Sequence, residues 1–140
     1  MTSFLLVATG GALGSMARYG MSLMMLRASR AGWLPSTGAL SGWPWATASV
    51  NVIGGLLMGL LVGWLSHRGS AGNEQIRLFL GVGLLGGFTT FSAFSLEVML
   101  MLQRKEWTIA ALYIGASVIF SVGGLLAGLA LGRQVFGDIG

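Results

Sequence analysis

Gly86-Gly87-Phe88-Thr89-Thr90-Phe91-Ser92-Ala93-Phe94-Ser95 is the stretch on which the reading of this chain turns. It lies well inside an apolar run spanning residues 78–102, yet paired glycines followed by β-branched threonines are poor helix formers. A helix that meets them at mid-length is expected to unwind or break. In hydrocarbon, irregular backbone is tolerated only where it is buried in protein or lines an aqueous cavity, because loose N–H and C=O groups find no solvent there. Carbonyl oxygens freed by such a break can coordinate a cation such as sodium. Beyond it, Phe91 and Phe94 are three residues apart and fall near one helix face, with Ser92 and Ser95 beside them. By spacing alone, two rings so placed read first as core packing.

The rest of the chain supplies the membrane. Of 140 residues 54% are hydrophobic and only 9% charged, too little polar surface to coat a soluble globule. Four stretches, at about residues 4–26, 46–65, 78–102 and 108–131, reach the ~20 apolar residues that cross ~30 Å of hydrocarbon. The expected fold is a single all-α membrane domain of four transmembrane helices, the third broken at mid-membrane. The first stretch has no basic leader and runs straight on to Arg18 and Tyr19, so it reads as helix one rather than a cleaved signal. Trp45, Trp64 and Trp107 fall at segment ends, where an indole prefers the headgroup layer.

Composition removes several function classes. With no cysteine and a single histidine, His67, the chain has no thiolate zinc site, no cysteine nucleophile and no multi-histidine metal centre. Ser117 has no intramembrane histidine to activate it, which argues against a protease. The net charge of +4 comes from eight basic residues scattered between apolar runs, a pattern of membrane-flanking charges rather than a nucleic-acid surface. Counted by side, Arg68, Arg77 and Arg133 stand with the N-terminus, and Arg27, Arg30, Arg104 and Lys105 stand opposite. So even a balance gives little orientation signal, and dual topology is expected, with two opposed copies related by an axis in the membrane plane. A single fixed orientation with a weak bias is the alternative.

Polar and small residues mark the inner faces. Gly55, Gly59 and Gly63 recur every four residues, so helix two should pack closely. Tyr113, Ser117, Ser121, Gly124, Gly128 and Gly132 share one face of the last helix, either as a contact bonded through hydroxyls or as a hydrated path. Asn51 lies five residues inside helix two and needs a partner or a wet lining, with Thr47 one turn before it. Arg18 either snorkels to the interface or forms a vestibule charge that attracts anions. Glu97, near the end of helix three, is read as a cap or as the partner of a neighbouring chain, and helix one holds no acid along which protons could exchange.

At this point the chain resembles the small bacterial fluoride channels of the Fluc (CrcB) family. Gly86-Gly87-x-Thr89-Thr90-Phe91-Ser92-x-Phe94-Ser95 matches the family's central motif. Gly11-Ala12-Leu13-Gly14 with Arg18-Tyr19, and Thr47-x-x-Val50-Asn51-x-x-Gly54, support it. One departure is Ala93, where the family often has a hydroxyl residue. The resemblance implies an antiparallel homodimer with two fluoride pores and one structural sodium ion at its centre, held by the main-chain carbonyls of Gly86 and Thr89. It implies Phe91 and Phe94 as pore phenylalanines and Asn51 as a polar residue reaching into the pore. It further implies Tyr113, Ser117 and Ser121 as a polar track, Thr47 and Thr90 as further lining residues, and Arg18 at the vestibule.

The activity so implied is passive, fluoride-selective export across the bacterial inner membrane, with the ion, the lipid bilayer and a second copy of the chain as partners and no catalysis. Neutral hydrogen fluoride crosses lipid and dissociates inside, so the trapped anion can leave down its electrochemical gradient. The rival from another class is a small dual-topology, proton-coupled multidrug transporter, also of four short spans, which would need the helix-one acid that this chain lacks.

Overall fold

The computed structural model describes residues 1–35, 41–67 and 73–137, and Arg68 of the loop-charge balance lies outside them. All the regular structure among the described residues is helical: α1 (Thr2–Arg30), α2 (Trp45–Leu65), α3 (Asn73–Ile76), a π-helical stretch (Arg77–Leu85), α4 (Gly86–Phe88), α5 (Phe91–Gln103) and α6 (Trp107–Gly137). Three of the helical runs are long and apolar enough to cross a membrane, Trp45–Leu65, Asn73–Gln103 and Trp107–Gly137. At 29 residues α1 has the length as well, but Arg18 and its small polar residues dilute its hydropathy.

Local chemistry sets the ends. Pro44 caps the start of α2, where its missing N–H is no loss. Lys105 adopts a left-handed φ of 62°. Its N–H and that of Glu106 return to Leu102 O at 2.9 Å and Met101 O at 3.0 Å, so the chain reverses from α5 into α6 within a few residues.

Two helix pairs are built backbone against backbone. On α2, a Cβ at Gly55 would lie 2.5 Å from Ser121 O, and one at Gly59 would overlap Leu125 O. On α6, a Cβ at Gly128 would overlap Leu56 O, and one at Gly132 would stand 3.0 Å from Leu60 O. The expected close face of helix two is therefore a seam with the last helix. The second pair sets α1 on the π-helical stretch and α4: Gly14 faces Leu84 O, and a Cβ at Gly87 would be 2.6 Å from Gly11 O. In lipid, where no hydrophobic force draws helices together, such contacts supply the packing.

The interruption follows directly after this seam. Thr89 (φ −78°, ψ 163°) and Thr90 (φ −154°, ψ 120°) are extended, and α5 resumes at Phe91. Sequence pointed to the paired glycines and the threonines after them together, and of the two it is the threonines that open while Gly86 and Gly87 stay helical. The reason is α1: Gly87 is small because Gly11 lies against it.

Little of the chain is buried within itself. Among the described residues the buried hydrophobic side chains are Val50, Leu61, Leu85, Met101, Ala110 and Tyr113, while Phe4, Met16, Ile119, Phe120 and Leu126 stand exposed. An apolar exterior of this kind suits lipid or a neighbouring chain.

Gly59→Val and Gly128→Val should each destabilise the fold by about 1–3 kcal/mol through overpacking. Gly123→Ala, on the same helix with nothing within 4 Å, should be neutral or slightly stabilising. Thermal unfolding in detergent checks the contrast, and equal midpoints for all three variants would contradict the seam.

Candidate functional site: a groove at the helix interruption

Extended residues inside a span leave backbone groups that must be bonded. Asn51 of α2 answers for Thr90: its Nδ2 donates to Thr90 O at 3.1 Å, and its Oδ1 accepts from Thr90 N at 2.9 Å. One side-chain amide thus pairs with both backbone groups of one residue, as a neighbouring strand would. Thr90 Oγ1 in turn accepts from Ala93 N at 3.2 Å and caps the start of α5. Gly54 makes room for the turn, since a Cβ there would overlap the Thr89 methyl.

These bonds have a consequence for the carbonyls. In an unbroken helix Thr90 N would serve Gly86 O, and Ala93 N would serve Thr89 O. Both donors are diverted, one to Asn51 and the other to the Thr90 hydroxyl. Gly86 and Thr89 are therefore left with main-chain oxygens released from their helical donors. Oxygen ligands of this kind fit a hard cation such as sodium. Among the described residues no cluster of three His, Cys, Asp or Glu side chains offers a competing metal centre.

Beside the interruption lies an open groove of about 420 Å³ whose lining includes Asn51, Thr89, Thr90, Phe91, Phe94, Ser117 and Ser121. Phe91 is 79% exposed there, so its ring is not core packing within this chain. The Phe91 and Phe94 centroids are 5.7 Å apart with planes tilted by 40°. Ser117 Oγ is buried and makes no hydrogen bond of good geometry, its polar neighbour being the Tyr113 hydroxyl one turn away. Asn51 keeps a second amide hydrogen beyond the one given to Thr90.

Thr47 and Tyr113 lie one turn from Asn51 and Ser117 on their helices, but they do not line the groove. Both hydroxyls donate to Glu97, Thr47 to Oε1 at 2.6 Å and Tyr113 to Oε2 at 2.7 Å. Glu97 is the residue that sequence reasoning misplaced, since it neither caps a helix nor needs a neighbouring chain and joins α2, α5 and α6 within one chain. The signal that could have found it is its position three residues after Phe94, on the same face of α5. Arg18 sits half-buried on α1, and neither it nor Gly86 lines the groove.

Long apolar helices, with a largely apolar groove that holds a few polar side chains at the interruption of one of them, define a multi-pass membrane protein. The family described as CrcB-like protein, Camphor Resistance (CrcB), matches residues 5–129, and the chain belongs to it. Its relatives include a protein of Caulobacter sp. (strain K31), 51% identical over 136 residues that cover 97% of this chain and 98% of the relative. Another, of Phenylobacterium zucineum (strain HLK1), is 52% identical over 97% of this chain and 99% of its own length. A third, of Agrobacterium fabrum (strain C58 / ATCC 33970), is 43% identical over 97% of this chain and 100% of its own. All three carry the name Fluoride-specific ion channel FluC.

Asn51→Leu should orphan the Thr90 N–H, at about 1–3 kcal/mol, and take one of two donors from the Thr90 carbonyl, which as the N-cap of α5 keeps its helical one. The variant is expected to unfold in detergent well below the parent and below Ser121→Ala, which removes no hydrogen bond seen here. A midpoint for Asn51→Leu equal to that of Ser121→Ala would contradict the pairing.

Proposed function

We propose that the chain is a fluoride-specific ion channel of the bacterial inner membrane, which lets the anion run passively down its electrochemical gradient. The observation that carries this is the groove itself, where the buried Ser117 hydroxyl, the spare N–H of Asn51, the exposed Phe91 ring and the half-buried Phe94 ring open on one space. Fluoride holds its water tightly, so a route for it must replace that shell with donors and must not hold the ion too firmly to release it. Ser117, Ser121 and Asn51 supply hydrogen-bond donors. Phe91 and Phe94 supply ring edges, whose positive hydrogens attract an anion without a fixed charge that would trap it.

Two more side chains act indirectly. While Thr47 and Tyr113 donate to Glu97, their hydroxyls order the end of the groove rather than face the ion. Arg18 adds a positive charge on α1 that favours anions near the mouth. The membrane potential supplies about 2.3 kcal/mol per charge for each 100 mV, so no coupled ion and no covalent chemistry are required.

The working assembly in this reading is an antiparallel homodimer, with α1 as the fourth crossing of each chain. The apolar exterior supports it, as do loop charges with almost no bias. One sodium ion between the copies would be held by Gly86 and Thr89 carbonyls from both, and it would supply a fixed positive charge that locks the interruptions together. The diversion of both helical donors away from those oxygens supports this site.

The test is efflux from liposomes loaded with fluoride or chloride, read with ion-selective electrodes after a potassium ionophore is added. Fluoride should leave and chloride should stay. Phe91→Ile, run as an assembled dimer, should slow fluoride by about tenfold or more, the kinetic equivalent of losing about 1.4 kcal/mol. Equal flux of the two anions, or exchange of protons for a cationic drug in place of anion efflux, would overturn the reading.

A further inference from the structure

Among the described residues two buried side-chain polar atoms make no hydrogen bond of good geometry, Ser117 Oγ, which has the Tyr113 hydroxyl beside it, and Trp45 Nε1. Ser117 belongs to the groove, but Trp45, the first residue of α2, does not line it. An indole N–H can only donate, so whatever satisfies it must present an acceptor. Buried donors left unmade are costly and rare, which asks for an occupant at this position.

The rings connect this position to the groove. Trp45 lies 6.1 Å from Trp43, and Trp43 meets Tyr113 edge-on at 5.2 Å and 85°. Tyr113 stands 5.3 Å from Phe94, which stands 5.7 Å from Phe91. Five rings thus form one unbroken file from the groove to the start of α2. Polar groups accompany it: Glu97 hangs beside the middle of the file with each oxygen covered by a hydroxyl, from Thr47 and Tyr113.

The surroundings of Trp45 favour an anion over water. A buried water needs two to four polar partners and gives as well as accepts hydrogen bonds. The first turn of its own helix adds donors. The first turn of α2 has no side-chain cap, and of its early N–H groups Trp45 N is bonded to Trp43 O at 2.8 Å and Ala48 N to Pro44 O at 3.0 Å. The intervening N–H groups of Ala46 and Thr47 have no carbonyl in helical register.

We infer that the indole N–H of Trp45 is an anion donor at the far end of the aromatic file, so that fluoride leaving Phe91 and Phe94 is next received there. This rests on the fluoride-channel reading and adds to it a residue outside the groove. Replacing the indole by a phenyl ring keeps an aromatic ring beside Trp43 and removes the donor together with part of the ring's volume.

The test uses the full chain, assembled in detergent, with nitrogen-15-labelled tryptophan. Its five indoles give five N–H signals, and replacing each tryptophan in turn by Phe assigns them. Should Trp45→Phe fail to fold, the other four variants assign Trp45 by elimination. Fluoride should move the Trp45 signal downfield to saturation, while chloride at the same concentration should not. In liposomes Trp45→Phe should pass fluoride about tenfold more slowly than the parent, as expected for loss of one donor to a charged acceptor. A Trp45 signal indifferent to fluoride, as a bound water would leave it, in a protein whose parent form conducts fluoride, overturns this inference alone. A parent that passes no fluoride overturns the channel reading itself.

Discussion

The side-chain amide of Asn51 bonded to both backbone groups of Thr90 is the contact on which the rest of the structure depends. Extended residues within a span need partners for groups that lipid cannot satisfy, and here one amide provides both bonds. It thereby releases Gly86 O from its helical donor, lets Thr90 cap α5, and sets the start of α5 so that Phe91 opens outward. Remove it, and the interruption has no reason to hold this shape. The groove, the free carbonyls and the exposed ring are consequences of the same pair of bonds.

The amide can do this only because α2 is held rigidly elsewhere. Gly55, Gly59 and Gly63 lay that helix on the backbone of α6, and the residue against Gly55 is Ser121. The seam that makes the pair rigid therefore sets Asn51 and the serines of α6 on opposing walls of the groove. On the other side of the chain, Gly11 and Gly14 seat α1 against α4 and fix where the helix before the threonines ends. Close packing through small residues and irregular backbone at depth are thus one design, since the second needs the precision of the first.

Much of this was legible in the amino-acid order. The interruption was expected within the right ten residues, because glycines and threonines inside an apolar run contradict a continuous helix. Asn51 was expected to need a partner because an amide at that depth cannot go unbonded. What it would bond was not legible, for Thr90 lies 39 residues away. Which part of that stretch would open was not legible, since flexibility and smallness are the same residue type and only the neighbouring Gly11 decides how Gly87 is used. Glu97 misled for a similar reason: its partners, Thr47 and Tyr113, stand 50 and 16 residues away, and nothing in its local sequence names them. The π-helical stretch Arg77–Leu85 has no residue signature and was not foreseen.

The most direct measurement is hydrogen exchange at the Thr90 amide, followed by NMR in the parent and in Asn51→Ala, with amides of the α2 seam around Gly59 as internal reference. If Asn51 Oδ1 holds that N–H, Thr90 exchanges slowly in the parent and at least about tenfold faster in the variant, while the seam keeps its protection. Equal exchange at Thr90 in the two proteins, with the seam intact in both, would contradict the account.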